Sequence, residues 1–299
     1  FNGIEAVRFD YFNNTAFVSA AFNSQTDSLL IRILNQDGES VPIIYEEICR
    51  YYDDRKAAVT GSADDWADSG DQTWYQCDEE FQITCRQFRK YNLWLSCGII
   101  TQFCNPTTWQ HIQMQLDSGY VEACSHSRTH SYGPYENPES EIAGSKQDLF
   151  DNLDLPASFK SGDKEYMYTW IAPANYYDEI VNSLVGENQY LVNRRYNWPF
   201  DRFSQWNSEA GYYHTIGISR EASPIWEGTT DLTDLNSYFD EVVAKGGIYH
   251  LMTHPYFLLE DGFDAAQYAW GHLEYISNKT DIWYTSVGHL YLYHYLQEN

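Results

Sequence analysis

The sequence has 299 residues and is strongly acidic, with 43 Asp and Glu against 18 Lys and Arg and a formal net charge of −25. That balance argues against nucleic acid or an anionic membrane as partner, because both are bound through clustered Lys and Arg. A disordered chain is excluded by the 43% hydrophobic and 17% aromatic content, and no apolar run approaches the ~20 residues that span a bilayer.

In chain order, the first 48 residues read as strands. "AVRFDYF", "NTAFVSAAF" and "SLLIRIL" are short β-prone runs separated by turn residues, and "NQDGES" has the composition of a hairpin loop. They predict an N-terminal β extension over 1–48, followed by one large domain over 49–299. "VPIIYEEICRYYDDR" predicts a helix, with Pro42 near its start and acids in its early turns. "KAAVTGSADDW" predicts a buried strand running into a loop. From there strand-like runs ("LWLSCGII", "GYVEACSHS", "YMYTWIAP", "GGIYHLMTH") alternate with helix-like ones ("NYYDEIVNSLVG", "DLNSYFDEVVAKG", "DAAQYAWGHLEYISNK"). This alternation predicts an α/β domain with a largely parallel sheet or barrel.

Six cysteines, Cys49, Cys77, Cys85, Cys97, Cys104 and Cys124, crowd into one stretch without a C-x-x-C pair. They predict a disulfide framework of up to three bridges rather than a zinc ribbon or a redox motif. The chain opens at Phe1 without a signal-like segment, and it carries the sequons Asn13-Asn14-Thr15 and Asn278-Lys279-Thr280. A secreted, extracellular glycoprotein is therefore expected. The 26 Tyr and 10 Trp suit a surface that binds sugars, since their rings combine an apolar face with a polar tip. The acidic charge fits a neutral or cationic polymer better than an anionic one.

Three polar clusters fall at the C-terminal ends of predicted strands, where α/β folds gather their chemistry. They are "SADDW" with Asp64 and Asp65, "SHSRTHS" with His126 and His130, and "HLMTH" with His250 and His254. Each has a plain alternative: an Asp pair caps helices, a His-x-x-x-His pair decorates surfaces, and His250 suits a core position. Together they describe two imidazoles four residues apart on one helical turn, with a carboxylate from another strand, the donor set of an open catalytic metal site.

On these residues the sequence resembles the NodB-homology polysaccharide deacetylases, carbohydrate esterase family 4 and its relatives. "SADDW" is similar to that family's Asp-Asp motif, "HSRTH" matches its His-Ser/Thr-x-x-His motif, and "LMTH" matches its Leu-x-x-His motif. The resemblance implies a distorted (β/α) barrel, with Asp64 as general base and Asp65, His126 and His130 as metal ligands. It also implies His254 as general acid, Leu251 lining an acetyl pocket, and the Ala174 backbone N–H after Pro173 facing the acyl oxygen. The expected substrate-binding residues are Leu251, Pro173, Ala174, Trp198 and Trp66. Two departures stand out: Ile171 occupies the place of an Arg that steadies the catalytic Asp, and an Asp and Trp that support the catalytic His have only Trp198 and Asp201 as counterparts.

The activity implied is metal-dependent hydrolysis of acetamide groups on an N-acetylated polysaccharide, chitin-like or galactosaminogalactan-like. Zinc is the expected ion, with another divalent transition metal as the variant. The alternatives are an O-acetyl polysaccharide esterase and a carbohydrate-binding pseudoenzyme on the same fold.

Overall fold

The computed structural model describes residues 6–19, 30–69, 73–196, 215–223, 228–258 and 264–298. An antiparallel hairpin comes first, β1 (Ala6–Asp10) and β2 (Thr15–Ser19) around the turn at 11–14. The α/β part follows with β3 (Ala57–Trp66), α1 (Asp78–Lys90), β4 (Leu95–Ile99), α2 (Pro106–Asp117) and β5 (Val121–Ser125). After a π-helical turn at Ser140–Gly144 come α3 (Ser145–Asn152), a small hairpin of β6 (Lys160–Ser161) and β7 (Lys164–Glu165), β8 (Thr169–Ile171), α4 (Glu179–Glu187) and β9 (Val192–Arg195). The chain continues through β10 (Thr215–Gly217), β11 (Arg220–Glu221), α5 (Leu232–Ala244), β12 (Ile248–Thr253), α6 (Pro255–Leu258), α7 (Gly271–Ile276), β13 (Ile282–Tyr284) and α8 (Val287–Glu298). Among the described residues no helix is long and apolar enough to cross a membrane.

The main sheet runs β10-β9-β8-β5-β4-β3-β12-β11, with β13 beside the start of β3, and every pairing in it is parallel. Parallel strands need crossover connections, and the helices that supply them cover the outer face. β3 is the axis of the sheet: it pairs β13 along its first residues, β4 along its last, and β12 on the other side. Its small residues let the helix layer close in. A Cβ on Gly61 would stand 2.6 Å from the Phe88 ring of α1.

The sheet curls into an open barrel. Asp64 on β3 touches Arg194 on β9, although three strands separate them in the sheet order. Strand alternation puts Glu122 and Cys124 of β5 on the interior side, and the narrow end is filled by Glu122. Ser96 and Thr169 donate hydroxyls to its carboxylate at 2.5 and 2.8 Å, and the Gly288 N–H at the start of α8 donates at 3.2 Å. Gly288 has to lack a side chain there, since a Cβ would fall 2.3 Å from Glu122 Oε1.

Burial pushes the Glu122 carboxyl above its ordinary range, against the hydrogen bonds that favour its charged form. The folded protein therefore holds this proton more tightly than the unfolded chain does. The stabilisation is complete below the unfolded glutamate value of about 4.3 and fades as pH rises through the raised folded value. Glu122→Gln, uncharged at every pH, is expected to melt higher than the wild type at pH 8, by about 2–4 °C for each kcal/mol of buried charge removed. The difference should close as pH approaches 4. A variant that melts lower at pH 8 would mean that the charge-assisted hydrogen bonds outweigh burial.

Three sequence expectations are corrected here. Of "SLLIRIL", residues 30–34 form no strand and make only an isolated bridge from Leu34 to Ser40; residues 28 and 29 lie outside the described residues. The helix expected over 41–55 is absent apart from a 3₁₀ turn at Tyr52–Asp54. Ile43, Ile44 and Tyr45 are exposed, and a helix without a packed apolar stripe has little to hold it. The packed core begins at Tyr51, whose hydroxyl donates to Gly246 O. Finally, all six cysteines are free thiols. Cys85 of α1 and Cys97 of β4 come nearest to a pair, with sulfurs 3.9 Å apart, and both sit in the core as small apolar side chains.

Candidate active site

The open end of the barrel is built first by β3. Alternation places Thr60, Ser62 and Asp64 on its interior face and would send Asp65 to the helix side. A register shift against β4 between Ala63 and Trp66, with Asp65 at φ 77°, breaks the alternation. The bulge holds both carboxylates at the mouth. It also drops Trp66 into the helix layer, fully buried, stacked on Phe81 with ring centres 4.8 Å apart and donating its indole N–H to Asp78. Trp66 therefore cannot line a substrate groove, contrary to expectation.

The segment after β5 supplies the imidazoles, and it is a looped turn rather than the helical turn expected from the spacing. Ser127 and His130 take φ of 66° and 52°. Glu141 fixes the turn by accepting the Arg128 and Thr129 N–H groups and the Thr129 hydroxyl, while the Arg128 guanidinium grips both oxygens of Asp148. His126 donates its Nδ1–H to Ile171 O at 2.9 Å, which leaves Nε2 facing the mouth. His130 Nδ1 meets the Tyr75 hydroxyl at 2.8 Å.

Asp65, His126 and His130 come together: one donor atom from each lies within 4.8 Å of the others. Asp65 Oδ1 stands 3.2 Å from Nε2 of both histidines, yet it is buried without a hydrogen-bond partner. Two imidazole nitrogens and an orphaned carboxylate oxygen converging on one point fit a divalent cation. Burial alone would raise the Asp65 carboxyl, but the neighbouring histidines, His130 first, hold it well below the usual carboxylate range. Burial pushes the His130 imidazole down, toward the neutral form that ligates metals.

Asp64 makes a different pair. It is 5% exposed, and its Oδ1 accepts from Nη2 of Arg194, which is fully buried. Arg194 is the register partner of Ile171 across β8 and β9. The guanidinium missing from position 171 thus enters from the neighbouring strand. His254, just past β12, has Nε2 3.9 Å from Asp65 Oδ2 and donates Nδ1–H to Glu221 Oε1 at 2.9 Å. Burial lowers the imidazole, but the bond to Glu221 and the charges of Glu221, Asp65 and Asp64 outweigh it and hold His254 above its ordinary value. Glu221 is fully buried on β11 and also accepts the Tyr196 hydroxyl.

Four expected residues complete the inventory. Pro173 is buried and Ala174 is exposed at φ 48°, in the turn directly after β8. Leu251 does not line the mouth: it is in register with Gly61, on the side of the sheet that packs against Phe88 of α1. Trp198, like Asp201, lies outside the described residues. His250 is a core residue, fully buried with Nε2 2.8 Å from the Ser62 hydroxyl. Arg194, Glu221 and Tyr75 were not foreseen. The only trace of the first two is a charged residue inside an otherwise β-prone run, "LVNRRYN" and "GISREAS".

No family model and no curated protein matches the chain. Its fold is nevertheless shared with solved structures. A Mycobacterium smegmatis protein assigned as a polysaccharide deacetylase superposes with a TM-score of 0.62 at 12% identity, over 86% of this chain and 96% of its own. A Pseudomonas aeruginosa PAO1 protein assigned in the same way gives 0.61 at 11% identity, over 83% and 94%. The Puue allantoinase gives 0.61 at 14% identity, over 90% and 98%. The chain thus has the NodB-type deacetylase fold, in a divergent sequence.

Proposed function

We propose that this protein is a metal-dependent hydrolase that removes acetyl groups from an N-acetylated polysaccharide, with zinc as its ion. One observation carries the reading: a carboxylate paired with a guanidinium, Asp64 with Arg194, and an imidazole paired with a carboxylate, His254 with Glu221, lie beside the Asp65, His126 and His130 donors. When bound there, the ion supplies Lewis-acid polarisation of the acyl oxygen and eases deprotonation of water. Asp64, oriented by its contact with Arg194, accepts the proton from the attacking water. The Ala174 N–H, directly after Pro173, would face the acyl oxygen as negative charge develops on it; the next two N–H groups of the turn, of Asn175 and Tyr176, are donated to Ala172 O and Pro173 O. His254, protonated and held by Glu221, returns a proton to the departing amine, which leaves poorly as an anion. The products are acetate and a free amino sugar.

Acetate release from chitin oligomers, galactosaminogalactan, peptidoglycan and acetylated xylan tests the reading, first with chelator and then with zinc added back. We expect chelator to abolish release and zinc to restore it on an amino-sugar polymer. Restoration on xylan alone would make the protein an O-acetyl esterase. Silence across the panel with zinc bound would leave a carbohydrate-binding protein.

A further inference from the structure

The two histidines of the candidate metal site are oriented by different means. His126 leans on a backbone carbonyl, Ile171 O, which any residue at 171 would present. His130 is aimed by a side chain, the Tyr75 hydroxyl, 2.8 Å from Nδ1. Tyr75 comes from another part of the mouth, the 3₁₀ turn at Thr73–Tyr75 between β3 and α1. That segment is tied down on both sides: Asp68 N–H donates to Phe103 O, Cys77 N–H donates to Ala67 O, and the Tyr75 ring lies 5.1 Å from Phe103. The phenol is thus held in place independently of the histidine it touches.

We infer that Tyr75 is the positioning residue of the metal site, fixing the tautomer and ring angle of His130 through its hydroxyl. Once Nε2 of His130 faces a cation, the ring proton resides on Nδ1 and is donated to the phenolic oxygen. That bond raises the basicity of Nε2 and removes the freedom of the ring to turn away from Asp65. His130 needs this support, because it sits at left-handed φ and ends its turn, with its own N–H bonded to the Ser127 hydroxyl. The inference rests on the metal-site reading above and adds a residue to it.

The test is zinc affinity, read by competition against a chromophoric chelator, for the wild type, Asp65→Ala and Tyr75→Phe. Tyr75→Phe keeps the ring packed on Phe103 and removes only the hydroxyl, so its metal-free melting should match the wild type. We expect zinc to bind the variant 10–100-fold more weakly, and the visible spectrum of the cobalt-loaded protein to change in band position. In the zinc-bound wild type, a protected His130 Nδ1–H signal in a ¹⁵N-correlated proton spectrum should be present, and it should be lost in the variant. Unchanged affinity and an unchanged cobalt spectrum in Tyr75→Phe, with Asp65→Ala unable to bind, would overturn the role of Tyr75 and leave the metal site standing. A wild type that binds no zinc would overturn both.

Discussion

Asp64→Asn is expected to lower acetate release by about 10²–10⁴-fold, the range for loss of a positioned general base, while the protein still takes up zinc. The amide keeps the shape of the carboxylate and is not itself one of the three donors that converge on the cation site, Asp64 Oδ2 standing 4.0 Å from His126 Nε2. What it loses is the capacity to accept a proton from water. Zinc content measured on the same sample separates the two effects: full occupancy with release reduced only a few-fold would remove Asp64 from the mechanism. Rates should be compared well below the melting temperature, because Asn also leaves Arg194 without its counter-charge.

That counter-charge underlies the second large effect. In the metal-free protein, Arg194→Met leaves the Asp64 carboxylate nearly enclosed without its guanidinium partner, and breaking a buried pair in this way costs about 3–5 kcal/mol. For a chain of this size the melting temperature should fall by about 10 °C. Since most of the cost is an unpaired charge, the double variant Asp64→Asn/Arg194→Met should be more stable than Arg194→Met alone. A double-mutant cycle measures that coupling directly. Additive losses would show that Arg194 contributes to the fold through packing rather than through Asp64.

The parts of this site that were legible in the sequence are those whose chemistry is local. His126 and His130 are four residues apart in one turn, and Asp64 and Asp65 are adjacent, so their grouping survives without knowledge of topology. The alternation of strand and helix signals also specified a parallel α/β fold. Arg194 and Glu221 were illegible for the opposite reason: each meets its partner across the barrel or across a strand pair, 130 and 33 residues away along the chain. Trp66 was misplaced because strand periodicity carries no sign of a bulge, and one extra residue reverses which face a side chain takes. The failed helix at 41–55 has the composition of a helix start, but Ile43, Ile44 and Tyr45 are left exposed and only Tyr51 near its end joins the core. The cysteines were read by count, whereas the fold uses four of them, Cys77, Cys85, Cys97 and Cys124, as small core residues and leaves Cys49 and Cys104 half-buried.

The entry of Arg194 from β9 has a consequence for how such proteins are found and how they diverge. An ion pair in a parallel barrel needs a guanidinium within reach of one carboxylate, and two neighbouring strands offer equivalent launching points. Ile171 and Arg194, facing each other in register, are those two points. An arginine at either position would attend the same acid, so the residue that carries the charge need not occupy one fixed place in the sequence. Relatives of this chain are therefore better sought with a spatial template, a carboxylate with a guanidinium from either strand, than with a linear pattern that demands arginine ahead of a proline.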